Sequence, residues 1–108
     1  MALRIRLCPA DEVGTGTPRA IAVVGLPWPV LVVNVAGTIY ASAGVCPHED
    51  VALADGEIEL VDGAPVITCP GHSYQFALAT GQCTHDARLR LPRYRVTLVG
   101  DEVWIDLA

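Results

Sequence analysis

Lysine is absent from this chain of 108 residues: all 7 of its cations are arginines, and none lies between Arg19 and Arg88. Charged residues make up only 18%, and 12 acids against 7 bases give a formal net charge of −5 and a pI near 4.9. So anionic a chain excludes nucleic acid and an anionic membrane as partners, and suits a basic protein surface. Long apolar runs are missing as well. The tract from Ala20 to Gly37 is cut by Gly25, Pro27, Pro29 and Asn34, which excludes a membrane span of about 20 unbroken residues. The opening MALRIRLCPADEV has no cationic segment leading into an apolar run, so no signal peptide is expected and the chain is expected to be cytoplasmic. No glycine signature for a nucleotide, no internal repeat and no low-complexity tract occurs. The length admits one domain, and 52% hydrophobic residues are enough to give it a core.

Helical periodicity is weak throughout, and period-2 alternation dominates. Leu3, Ile5 and Leu7 alternate with Arg4, Arg6 and Cys8, and Val103, Ile105 and Leu107 alternate with Glu102, Trp104 and Asp106; both read as half-buried strands. Gly100-Asp101 reads as a two-residue hairpin turn between Tyr94–Val99 and the last strand. Ala20–Val24 and Val30–Val35 read as strands around the rigid loop Gly25-Leu26-Pro27-Trp28-Pro29, since two prolines cannot continue a ladder. Ala36-Gly37 predicts a further hairpin to Thr38–Ala41. From Ala43 to Thr84 the punctuation Asp55-Gly56, Asp62-Gly63 and Thr80-Gly81 reads as loops and small hairpins. The fold class is all-β, with residues 43–84 inserted between two parts of a β base, 1–42 and 85–108.

The arginine-free stretch holds Glu49, Asp50, Asp55, Glu57, Glu59, Asp62 and Asp86, and with them Cys46-Pro47-His48 and Cys69-Pro70-Gly71-His72. Each of these loops offers one thiol and one imidazole, and proline and glycine supply a tight backbone. Three chemistries compete for the set. One Zn²⁺ accepts two thiolates and two imidazoles, although zinc sites usually pair like ligands within a loop. A cysteine nucleophile with a histidine base needs only one of each. A [2Fe-2S] cluster with two histidines on one iron uses one Cys and one His from each loop. Coincidence of buried thiols and surface histidines is the bland alternative.

Through CPHEDVALADGE and CPGHSYQFALATGQC the chain resembles the Rieske-type ferredoxins, and the run Leu91-Pro92-Arg93-Tyr94-Arg95-Val96 is similar to their base domain. The resemblance implies stacked antiparallel sheets with an inserted cluster-binding subdomain. It implies one [2Fe-2S] cluster per chain, with Cys46 and Cys69 on one iron and His48 and His72 on the other. High-potential relatives carry a further cysteine in each loop, forming a disulfide, where this chain has Val51 and Gly71. They also carry a serine and a tyrosine that donate hydrogen bonds to the cluster, where this chain has Tyr74 and Phe76. Fewer donors and the neighbouring acids imply the low end of the Rieske range, about −150 mV.

An oxygenase's mononuclear iron needs two more histidines and a carboxylate, and only His85 remains. The resemblance therefore implies an electron carrier without catalysis of its own, passing electrons from a flavin-dependent NAD(P)H ferredoxin reductase to a terminal oxygenase, often an aromatic-ring hydroxylase. A monomer is expected. The alternatives are a small subunit of a nitrite-reductase-like complex and a zinc-stabilised interaction module. His48 and His72 would be the electron exit. Pro47, Gly71, Ala43–Val45 and the Leu91-Pro92 loop would form the contact patch. Cys8 and Cys83 read as small buried hydrophobes, His85 as a surface residue, and Trp28 and Trp104 as packing residues. The acids from Glu49 to Asp62 are either a solvated face or a means of steering a basic partner.

Overall fold

Four consecutive apolar residues, Val30 to Val33, are each exposed by no more than 1%, the mark of a strand buried on both faces. In the computed structural model, which describes residues 3–47, 50–71 and 73–107, that strand divides two cores. Val30 and Val32 pack with Leu7, Cys8, Val103 and Ile105 inside the base. Leu31 and Val33 face the other way, onto Leu53, Ile67, Phe76 and Leu91.

Among the described residues the elements are strands and two short 3-10 turns, Ala10–Glu12 and Leu53–Asp55. The strands are β1 (Arg4–Pro9), β2 (Arg19–Ile21), β3 (Val30–Val35), β4 (Thr38–Ala43), β5 (Glu57–Val61), β6 (Ala64–Thr68), β7 (Gln75–Ala77), β8 (Arg93–Val99) and β9 (Glu102–Asp106). A 6-stranded sheet runs β1-β9-β8-β4-β3-β2 and a 3-stranded sheet runs β5-β6-β7. Every pairing within them is antiparallel. The all-β class therefore holds. No helix among the described residues is long and apolar enough to cross a membrane.

The hairpins follow their turn chemistry. Ala36-Gly37 and Asp62-Gly63 both take positive φ at both residues (53° and 90°, 52° and 81°), the requirement of a two-residue turn matched to strand twist. Gly100, at φ 59°, opens the turn between β8 and β9.

Three strand expectations need correcting. The β2 strand ends at Ile21 rather than Val24, and Val24 is fully exposed in the loop before the prolines. In β1 the register shifts between Arg6 and Cys8, so Leu7 and Cys8 are both buried and the strict alternation fails there; an extra residue turns its neighbour to the same side. Within residues 43–84 the expected hairpin at Asp62-Gly63 joins β5 to β6, and β7 extends it to a three-stranded sheet that was not expected. Its edge strand β5 escaped notice because Glu57, Glu59, Leu60 and Val61 are all exposed and no alternation survives.

Candidate metal centre

Cys46 follows the end of β4 and Cys69 follows β6. The backbone there is stitched to three other segments: Ala43 N–H donates to the Pro92 carbonyl at 2.8 Å, Gly44 N–H to Pro29 at 2.7 Å, and Leu53 N–H to Gly44 at 2.9 Å. A Cβ on Gly44 would lie 2.8 Å from the Pro29 carbonyl oxygen, so this close approach needs glycine.

The two cysteine loops are closed in the same way. Cys46 N–H donates to the Val51 carbonyl at 3.0 Å, and Cys69 N–H donates to the Tyr74 carbonyl at 2.7 Å. The spans are equal in length, with cysteine at the stem, Pro47 or Pro70 next and Val51 or Tyr74 closing, while the histidine stands one place later in the second. Ser73 stands in the left-handed region at φ 60°, and its N–H returns to the Cys69 carbonyl at 3.1 Å. Both stem cysteines are buried, Cys46 to 2% exposure and Cys69 to 0%, in the core that contains Leu53, Ile67 and Phe76. Pro47, Asp50, Pro70, Gly71 and Ser73 are exposed at the loop tips.

His48 and His72 lie outside the described residues. Of the four expected ligands, the structure thus brings the two thiols into one core. Among the described residues no group of three or more potential metal ligands converges. The donor chemistry fits an iron–sulfur group: soft thiols from two loops, both in apolar surroundings, are the ligands such clusters take.

The two loops have different neighbours. A depression beside Cys69 is lined by Asp55, Glu57, Thr68, Pro70 and Ser73. A notch of about 230 Å³ beside Cys46 is lined by Trp28, Pro47, Pro92, Asp50 and Arg90. Trp28 packs against the thiol-bearing core, and its Nε1–H donates to the Tyr94 hydroxyl at 3.1 Å. Arg90 escaped the sequence reading because only the tertiary fold carries it to the Cys46 loop; Trp28 could have been found from the rigid loop it occupies.

The contact patch needs a correction: Leu91 is 1% and Ala43 2% exposed, so Pro47, Pro92, Gly71 and part of Val45 are what remains of it at the surface. All four cysteines are buried thiols. Val51 packs partly buried against the core and Gly71 is exposed at the tip, so the loops are held by packing and hydrogen bonds. Cys8 sits in the base core and Cys83 in the core of the two stem thiols. Burial pushes the Cys8 thiol above its ordinary pKa, with Arg19 opposing and Glu12 adding. His85 is exposed and meets the Tyr74 ring edge-on at 6.1 Å.

Comparison with known proteins places this architecture. The chain is 37% identical over 82 residues to the biphenyl 2,3-dioxygenase ferredoxin component of Rhodococcus jostii, covering 75% of this chain and 73% of that one. The solved ferredoxin of Sphingomonas yanoikuyae B1 superposes with a TM-score of 0.83 at 31% identity, over 98% of this chain and all of that one. A structure assigned to an NADH-dependent nitrite reductase small subunit from Mycobacterium tuberculosis reaches a TM-score of 0.90 over 100% of this chain and 97% of that one, at 18% identity, a likeness of fold alone. The family model of the Rieske [2Fe-2S] domain matches residues 4–95. The chain belongs to the Rieske [2Fe-2S] domain family.

Proposed function

We propose that this protein is the ferredoxin of a multicomponent oxygenase system, taking single electrons from a flavin-dependent NAD(P)H reductase and delivering them to a terminal oxygenase, with Cys46 and Cys69 on one iron of its cluster and His48 and His72 on the other. The observation that carries the ligand assignment is the pair of equivalent loops, each with a buried cysteine at its stem and a closing hydrogen bond from that cysteine's own N–H. The identity to a dioxygenase ferredoxin component supports the choice of partners.

When bound, a [2Fe-2S] group supplies one reversible electron step without bond rearrangement. The chain's part is to position and insulate. Buried stems keep water from the thiolates. The core around them includes the fully buried apolar side chains of Leu53, Ile67 and Phe76, and apolar surroundings disfavour the more negative reduced state. The exposed tips bring Pro47, Pro70 and Gly71 to the surface where a partner comes close. Residues 43–84 form the cluster-binding part, and 1–42 with 85–108 the base. A monomer working in the cytoplasm suits a carrier that must leave each partner after one electron.

The test begins with the purified protein. Two irons and two sulfides per chain are expected, with visible absorption and a reduced-state EPR signal averaging below that of all-cysteine clusters. The reduced protein should lose its electron on addition of oxygenase. A colourless protein with one zinc per chain would sink the assignment. Stable co-purification with a large flavoprotein or haem protein would point instead to a reductase subunit. Replacing His72 by Cys should lower the midpoint potential, because imidazole ligation raises it; an unchanged potential would reject His72 as a ligand.

A further inference from the structure

Most of the arginines on this chain answer to carboxylates of their own. Arg4 pairs with Asp106, Arg6 with Glu102, Arg19 with Glu12 and Arg88 with Asp86. Arg90, Arg93 and Arg95 are exposed and, among the described residues, have no such ion pair; of the three, Arg90 lines the notch beside Cys46. Its backbone is nonetheless fixed. Arg90 bridges Gln82 in antiparallel fashion. Leu91 N–H donates to Gly81 at 2.7 Å, and the Leu89 carbonyl accepts from Cys83 N–H at 3.1 Å. Leu91, at 1% exposure, nails this segment into the thiol-bearing core.

Arg90 lines the notch beside Cys46, where Trp28, Pro47 and Pro92 supply apolar walls and Asp50 is the acid among the described lining residues. The depression beside Cys69, by contrast, has Asp55 and Glu57 among its described lining residues. A cation at the border of an anionic region weakens attraction for a uniformly basic partner. Its contribution must come from a contact that uses it. An arginine bordered by an aromatic ring and prolines is suited to take a carboxylate out of water, because its planar fork binds both oxygens and the apolar walls lower the local dielectric.

We infer that the notch formed by Trp28, Pro47, Pro92 and Arg90 seats an acidic side chain, Asp or Glu, of the redox partner, within a partner surface that is otherwise basic and faces Asp50, Asp55 and Glu57. This rests on the electron-carrier reading above. The two kinds of contact, on the two loops, set the partner's rotation about the cluster as well as its distance.

The experiment compares Arg90→Gln with Arg95→Gln, which removes the same charge from β8 away from the notch. Each variant's visible spectrum and midpoint potential are recorded first; both should match the unaltered protein. Electron transfer is then measured with the reductase and the oxygenase, and with cytochrome c as a basic acceptor that has no reason to use the notch. For Arg90→Gln the KM for this protein should rise about tenfold with at least one of the two partners, with kcat little changed. Its reaction with cytochrome c should be unchanged or faster. Arg95→Gln should leave both KM values where they were. If Arg90→Gln behaves like Arg95→Gln with both partners, the inference is overturned and the electron-carrier reading stands. If the unaltered protein passes electrons to neither, the reading fails first and takes the inference with it.

Discussion

Phe76 is fully buried in the same core as the two stem cysteines, so a hydroxyl added to its ring brings a hydrogen-bond donor into the core that holds the thiolates. Phe76→Tyr should raise the midpoint potential by about 20–60 mV, the one-electron equivalent of a hydrogen bond of about 0.5–1.5 kcal/mol. A redox titration decides it, and no rise would mean that the ring edge points away from sulfur. Cys8 makes a different prediction. Its folded-state pKa is raised by burial, so the protonated thiol's contribution to stability is complete below the ordinary thiol value and is lost as pH rises through the raised one. Thermal midpoints should therefore fall on the alkaline side, and Cys8→Ala should flatten that limb. The stem cysteines and the tendency of Cys8 and Cys83 to be buried were legible in sequence because thiols paired with nearby histidines, or standing alone, are chemically distinctive. The burial of Leu91 was not, since the Leu91-Pro92 pair carries no sign of which side chain turns inward.

Between the elements, the turn after β7 and the segment before β8 are locked by Gly81. It stands at φ 80°, and a Cβ there would fall 2.2 Å from the Leu91 carbonyl oxygen. Gly81→Ala should cost about 2 kcal/mol or more, since backbone strain and displacement of the Leu91 contact add, and denaturant unfolding of the holo-protein measures it. Arg90 hangs on the same lock, so this variant should also weaken the docking contact inferred above. The hairpins at Ala36-Gly37, Asp62-Gly63 and Gly100-Asp101 could be read from the chain because a two-residue turn demands residues tolerant of positive φ. The sheet β5-β6-β7 could not. Its strand β5 lies at an edge with most of its residues in water, and its other edge strand, β7, spans only Gln75–Ala77, too short for a period to show. The bulge in β1 was equally hidden, because an inserted residue breaks the very alternation used to find the strand.

Over the whole molecule, charge is divided by region. Between Arg19 and Arg88 there is no arginine or lysine, while Arg88, Arg90, Arg93 and Arg95 follow closely on one another. Electron transfer to a basic acceptor should accordingly slow as salt is raised through the range where the screening length falls below about 10 Å; stopped-flow rates independent of salt would leave the acids a merely solvated face. The same acids, with the apolar surroundings of the two stem cysteines, predict a midpoint potential near −150 mV, the low end for this cluster type.

Strand β3 is where the two halves meet, because Leu31 and Val33 belong to the core of the cluster loops and Val30 and Val32 to the core of the base. Neither half has a wall of its own on that side. The molecule is therefore expected to open as one cooperative unit, with the β3 amides the slowest in the protein to exchange with deuterium. Stripping the iron should quicken exchange at Val30 and Val32 as well as at the loops, so the core on the far side of β3 would report the loss.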